Sequence, residues 1–116
     1  MTLDDIKTHA LSHPGASQVV QWMGSQVYKV GDKMFAVHGP ESGHLTVKCD
    51  SEDTAKMLIE VGAARRAPHL PRGGWVAFDV ASTDADELKA RLTLSYDKVR
   101  SSLPKAVQRE LEGNAK

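Results

Sequence analysis

Two short runs of alternating side chains, Val27-Tyr28-Lys29-Val30 and Lys33-Met34-Phe35-Ala36-Val37, are separated by Gly31-Asp32 alone. Two residues are enough for a tight reversal between antiparallel strands, and glycine reaches positive φ at little cost. The chain is therefore committed to an antiparallel sheet. HGPESG (38–43) reads as a second turn, and His44-Leu45-Thr46-Val47-Lys48-Cys49 as a third alternating strand. Pairing Val30 with Lys33 assigns the faces by period two. Tyr28, Val30, Phe35 and Val37 go to one side, and Val27, Lys29, Met34, Ala36 and His38 to the other. Leu45, Val47 and Cys49 join the first set, opposite His44, Thr46 and Lys48.

Helical signals bracket these strands. Thr2-Leu-Asp-Asp5 offers a capping hydroxyl and acids at a helix start, Leu3, Ile6, Ala10 and Leu11 share a face, and Pro14-Gly15 ends it. Asp50-Ser51-Glu52-Asp53 opens a second helix with Ala55, Leu58 and Ile59 inward and Gly62 as its stop. The stretch Arg65-Arg66-Ala67-Pro68-His69-Leu70-Pro71-Arg72-Gly73-Gly74-Trp75 then supplies a strand, a turn and the start of WVAFDV, in which Val76, Phe78 and Val80 alternate with Trp75, Ala77 and Asp79. Prolines keep these strands short and peripheral. Thr83 to Glu87 caps a long helix carrying Leu88, Leu92, Tyr96, Val99 and Leu103, and Pro104 breaks it and starts a short terminal helix through Val107 and Leu111.

This order, α-β3-α-β2-α, predicts an α+β two-layer sandwich: a five-stranded antiparallel sheet with its helices on one face. At 116 residues and 41% hydrophobic content it is read as one domain over residues 1–112, with residues 113–116 as a frayed tail. No stretch reaches membrane-spanning length and no secretory signal opens the chain, so a cytoplasmic protein is expected. Basic and acidic residues balance at 15 each, so attraction to an anion has to come from local asymmetry. One cysteine, Cys49, permits neither an internal disulfide nor a multi-thiolate zinc site. Its predicted place in the core favours an apolar filler over a nucleophile activated by the helix that follows. His9 and His13 are four apart on one helix, yet two ligands are too few for a closed metal site, and His38, His44 and His69 are scattered. No metal or cofactor is expected.

The helix-free sheet face is then expected to carry Lys29, Met34, His38, Thr46, Lys48 and Trp75, with the arginine-rich 65–75 hairpin beside it. A large aromatic among cationic side chains outside the core calls for a partner, because indole and guanidinium groups are frequent anchors of binding surfaces. A solubilising rim is the plain alternative for three arginines on an exposed hairpin.

The segments YKVGDKMFA, LTVKCDSE, His69-Leu70 followed by Trp75, and SYDKVRSSLPKAVQREL resemble the successive signature blocks of the MmcQ/YjbR family, in the family's order and over nearly the whole chain. The resemblance implies a two-layer domain shaped like secretion-chaperone and CyaY-type folds, with a DNA-binding role. Lys29, Lys33, Phe35, Lys48, Cys49, His69 and Trp75 match family positions. Where the family shows an asparagine and a basic pair before the tryptophan, this chain has Pro71-Arg72-Gly73-Gly74, which removes cationic side chains from the turn.

No nucleophile elbow, phosphate-binding glycine loop or facing acid pair is present in the sequence, so a non-enzymatic binding domain is expected. Lys29, Lys48, Arg65, Arg66 and Arg72 are the expected phosphate contacts, Trp75 the stacking or wedge residue and His69 a polar or pH-sensitive contact, with DNA as the leading partner. The competing expectation is a protein-interaction or chaperone-like module anchored by Met34 and Trp75. A monomer is expected, with a homodimer contact as a second use of the same surface.

Overall fold

The computed structural model describes residues 2–21, 24–39, 43–67, 70 and 72–114, with the backbone alone for 3 and 112–114. Four helices pack on a six-stranded, wholly antiparallel sheet of order β1-β2-β3-β4-β6-β5. The elements in chain order are α1 (Leu3–Leu11), β1 (Ala16–Gln21), β2 (Ser25–Val30), β3 (Lys33–His38), β4 (His44–Lys48), α2 (Glu52–Glu60), β5 (Arg65–Arg66), β6 (Trp75–Asp79), α3 (Ala85–Ser101) and α4 (Lys105–Asn114). The expected five strands become six. Ala16–Gln21 is an edge strand, mostly exposed, so burial on one face leaves no clear alternation in its sequence. Helix α4 continues to Asn114, so the tail expected from Gly113 is helical for two more residues; one glycine in a last turn costs only about 1 kcal/mol.

The β2–β3 hairpin forms as its turn residues dictate. Gly31 and Asp32 both have positive φ, 54° and 65°, which matches the twist of the flanking strands. Gly31 is required twice over, since a Cβ there would lie 2.7 Å from the Leu103 side chain. Val30 faces Lys33 in the register, but the pairing slips between Tyr28 and Lys29: Tyr28 opposes Ala36 and Lys29 opposes Met34. Phe35 is thus the extra residue of a bulge, and beyond it β3 changes face. Ala36 and His38 turn toward the helices, and both are buried, while Val37 joins Val27 and Thr46 on the other side. This corrects the expected placement of Val37 in the core and of Ala36 and His38 outside it.

The core is a single cluster in which Tyr28, Val30, Phe35, Leu45, Val47, Val76 and Phe78 of the sheet meet Ile6 and Ala10 of α1, Ala55 and Leu58 of α2, and Leu88, Leu92, Tyr96 and Val99 of α3. Thr2 caps α1 in a reciprocal capping box with Asp5. The two histidines of α1 tie it to α3: both ring Nε2 atoms bond Thr93 Oγ1, His13 stacks on Tyr96 at 4.6 Å, and the Tyr96 hydroxyl donates to the Pro14 carbonyl. Cys49 is buried, and burial pushes its thiol pKa up, so it packs as a small apolar group.

Candidate functional site

Cross-strand registers define two rows on the sheet face turned away from the core. The first runs Val19, Val27, Val37, Thr46, Ala77, Arg65 across all six strands. Its centre is closed to solvent: Val27, Thr46 and Ala77 are buried. The second row, Ser17, Lys29, Met34 and then Lys48, Trp75, is interrupted between β3 and β4. The second row is open along its length: Ser17 is exposed, and Lys29, Met34, Lys48 and Trp75 are half-buried.

The interruption has a specific cause. Pairing of β3 with β4 ends at Ala36 and Val47, and beyond it the fully buried Ser95 of α3 bridges the strands. Its hydroxyl accepts from the Lys48 N–H at 2.8 Å and donates to the Phe35 carbonyl at 2.5 Å, replacing strand-to-strand bonding with a side chain. Beside this split lies a cavity of about 380 Å³. Lys33 and Met34 line it from β3, Lys48 and Trp75 from β4 and β6, and Lys98, Val99 and Ser102 from the last turns of α3. None of the three lysines has a carboxylate partner among the described residues.

Trp75 is held by its loop. Gly73 and Gly74 both have positive φ, 87° and 76°. A Cβ on Gly73 would lie 3.3 Å from Lys48 Nζ and 3.4 Å from Trp75 Nε1, and one on Gly74 would lie 3.1 Å from the Ser51 carbonyl oxygen. The Gly73 N–H donates to Glu52 and the Gly74 carbonyl accepts from the Cys49 N–H, fastening the loop to the start of α2 and the end of β4. The Gly-Gly pair thus lets the backbone close over the indole edge, with Lys48 Nζ 5.6 Å from the indole centroid.

Of the residues singled out in the sequence, the fold brings Lys48 and Trp75 into contact and places Lys29 on the same row two strands from Lys48. Arg65 lies at the far edge of that face, where its guanidinium donates to the His44 ring. Alternation turns Arg66 the other way, paired with Val76 on the helix side, although it is exposed at the edge. Arg72 is exposed in the loop before Trp75. His69 lies outside the described residues. The two adjacent arginines of β5 therefore point to opposite faces of the sheet.

Sequence reasoning missed Lys33, Ser95, Lys98 and Ser102 as a group. Ser95 was visible in principle: it falls within the apolar stripe Leu88, Leu92, Tyr96, Val99, where a hydroxyl needs partners. The lysines carried no such signal, since their convergence depends on where α3 crosses the sheet. His38 is buried with its Nδ1 unpartnered among the described residues, and burial pushes its pKa down. Among the described residues no three His, Cys, Asp or Glu side chains gather as a metal site, and no helix is long and apolar enough to cross a membrane.

The fold is similar to the crystal structure of Deinococcus radiodurans protein DR2400, with its DUF419 domain, at a TM-score of 0.85 and 23% sequence identity. The alignment covers 96% of this chain and 88% of that one. No curated protein matches the sequence significantly. The YjbR family model matches residues 11–98, from the end of α1 through most of α3, and so takes in the split sheet, the three lysines of the cavity and Trp75. With the match spanning well over half of the residues, this chain belongs to the YjbR family.

Proposed function

We propose that this protein is a non-catalytic, cytoplasmic nucleic-acid-binding domain that receives a strand along the second row of its helix-free face and on toward Arg65 at the β5 edge. Lys48 beside Trp75 carries the reading: a cation and an aromatic plane at 5.6 Å, on a face whose neighbouring lysines lack carboxylate partners among the described residues, suit a phosphate followed by a base. Lys29, Lys48, Arg65 and Arg72 contact phosphates, and Trp75 stacks. Arg66, on the opposite face, is left out of the path.

The test is an anisotropy titration with single-stranded and duplex DNA across a range of salt. Four phosphate contacts on a single strand predict a slope of about −2.8 in log affinity against log salt, or about a 50-fold loss between roughly 50 and 200 mM salt. Lys29→Ala should flatten the slope by about 0.7. Absence of binding at low salt, or salt-independent binding lost only on Trp75→Ala, would refute the reading; the second result would point to a protein-interaction surface anchored by Trp75 and Met34.

A further inference from the structure

The cavity beside the sheet split has a chemistry that a polymer-binding face does not require. Three lysines from three different elements, Lys33, Lys48 and Lys98, converge on it without carboxylate partners among the described residues. Trp75 adds an aromatic plane, and Met34 and Val99 add apolar walls. At about 380 Å³ it falls in the range of small-molecule pockets, roughly 300 to 1,000 Å³. The C-terminal end of α3 brings about half a negative charge to the rim. Three lysines outweigh it together with the Glu52 carboxylate held at Gly73, so the net preference is for an anion. The Ser102 hydroxyl already donates to the Val99 carbonyl, which leaves the lysines as the charged donors for a ligand. Ammonium groups act on phosphate as point charges without demanding the fork geometry of guanidinium, which suits a ligand whose phosphates are met from three directions.

We propose that this cavity is a binding site for a small phosphorylated ligand bearing a planar ring, of the nucleoside mono- or diphosphate class. The phosphates lie among Lys33, Lys48 and Lys98, and the ring lies against Trp75. The site shares Lys48 and Trp75 with the proposed strand path but depends on Lys33 and Lys98, whereas Arg65 serves the strand alone.

Calorimetric titration of the full chain with ADP, adenosine and inorganic pyrophosphate at low ionic strength tests this. ADP should bind more tightly than either fragment. The exposed lysines can be replaced without loss of core, so Lys33→Ala and Lys98→Ala should each weaken ADP by about tenfold or more. Trp75→Leu should weaken ADP while leaving pyrophosphate unchanged, and thermal melting of each variant checks that it is folded. Arg65→Ala should leave ADP affinity intact while reducing the salt slope for DNA, so the two readings fail separately. Adenosine binding as tightly as ADP, no ADP binding at millimolar concentration, or unaltered ADP affinity in both lysine variants would overturn the proposal. The phosphorylated end of a strand presents the same chemistry as a free nucleotide. Any strand on the proposed path also covers Lys48 and Trp75, so the comparison is of two competitors. Tighter displacement of ADP by a 5′-phosphorylated oligonucleotide than by its hydroxyl-ended counterpart identifies the strand end as the source, and equal or no displacement identifies the free nucleotide.

Discussion

Ser95→Ala removes one oxygen and leaves two backbone groups without their partner: the Lys48 N–H, 2.8 Å from that oxygen, and the Phe35 carbonyl, 2.5 Å from it. Ser95 is wholly inaccessible, so water does not reach the site without local opening. Each orphaned buried group costs about 1 to 3 kcal/mol, and about 3 kcal/mol for the pair is a conservative sum. Unfolding entropy near 2.1 cal/mol/K per residue comes to about 0.24 kcal/mol/K for a chain of this length. The midpoint should therefore drop by about 12 °C in calorimetry. Amide exchange resolved by residue adds a local signature: the Lys48 amide should exchange far faster in the variant, while the Val27 amide, bonded within the sheet away from the split, changes only with global stability. A midpoint within about 2 °C of the parent, or a Lys48 amide as protected as before, would refute the claim that this hydroxyl closes the split.

Burial, the larger cause, and repulsion from His13 lower the pKa of His9, and burial lowers that of His38. The unfolded chain then takes up protons first as pH falls below histidine's ordinary 6.5, so stability should decline on that side; His9→Gln should flatten the acid limb of a denaturant-midpoint series. Burial raises Cys49, Tyr28 and Tyr96 above their ordinary 9.0 and 10.0, so the same series should fall again above about pH 9 as the unfolded chain ionises first. Thr2→Ala, which removes the capping hydroxyl, should cost about 1 kcal/mol in urea unfolding, and Asp5→Ala in the Thr2→Ala background should cost a further measurable amount, because the backbone N–H of residue 2 still donates to the Asp5 carboxylate. Gly62 and Gly74 share positive φ, 79° and 76°, yet only Gly74 is crowded. Alanine at 62 should cost about 1 to 2 kcal/mol for the left-handed backbone alone. Alanine at 74 should cost distinctly more, and equal losses at the two sites would show that the contact with the Ser51 carbonyl is easily relieved.

Patterns imposed by a single element were legible in the residues. The turn at Gly31-Asp32, the α1 cap, the stops at Gly62 and Pro104, and the inward sets of β4 and β6 follow from period, propensity and φ preference. Strand β1 was not, because an exposed edge strand writes no alternation. The β3 bulge was not either: Phe35 and Ala36 are both apolar, and period two reads straight through them, whereas the partners β2 and β4 require both to face inward. Of the candidate site, the outward placement of Lys48 and Trp75 was visible, and their contact was not, since it depends on the register that opposes β4 and β6.

Local chemistry, then, settles where this chain turns, which of its segments wind into helices, and that an indole and lysines remain outside the hydrophobic cluster. It does so because hydrophobic period, caps and glycine conformation act within a few residues. The split between β3 and β4, and the gathering of Lys33, Lys48 and Lys98 around it, arise when α3 crosses the sheet and sets one hydroxyl between two strands. Residues 33, 48 and 98 meet through packing alone, because charges so far apart along the chain carry no mutual pattern for a sequence to display.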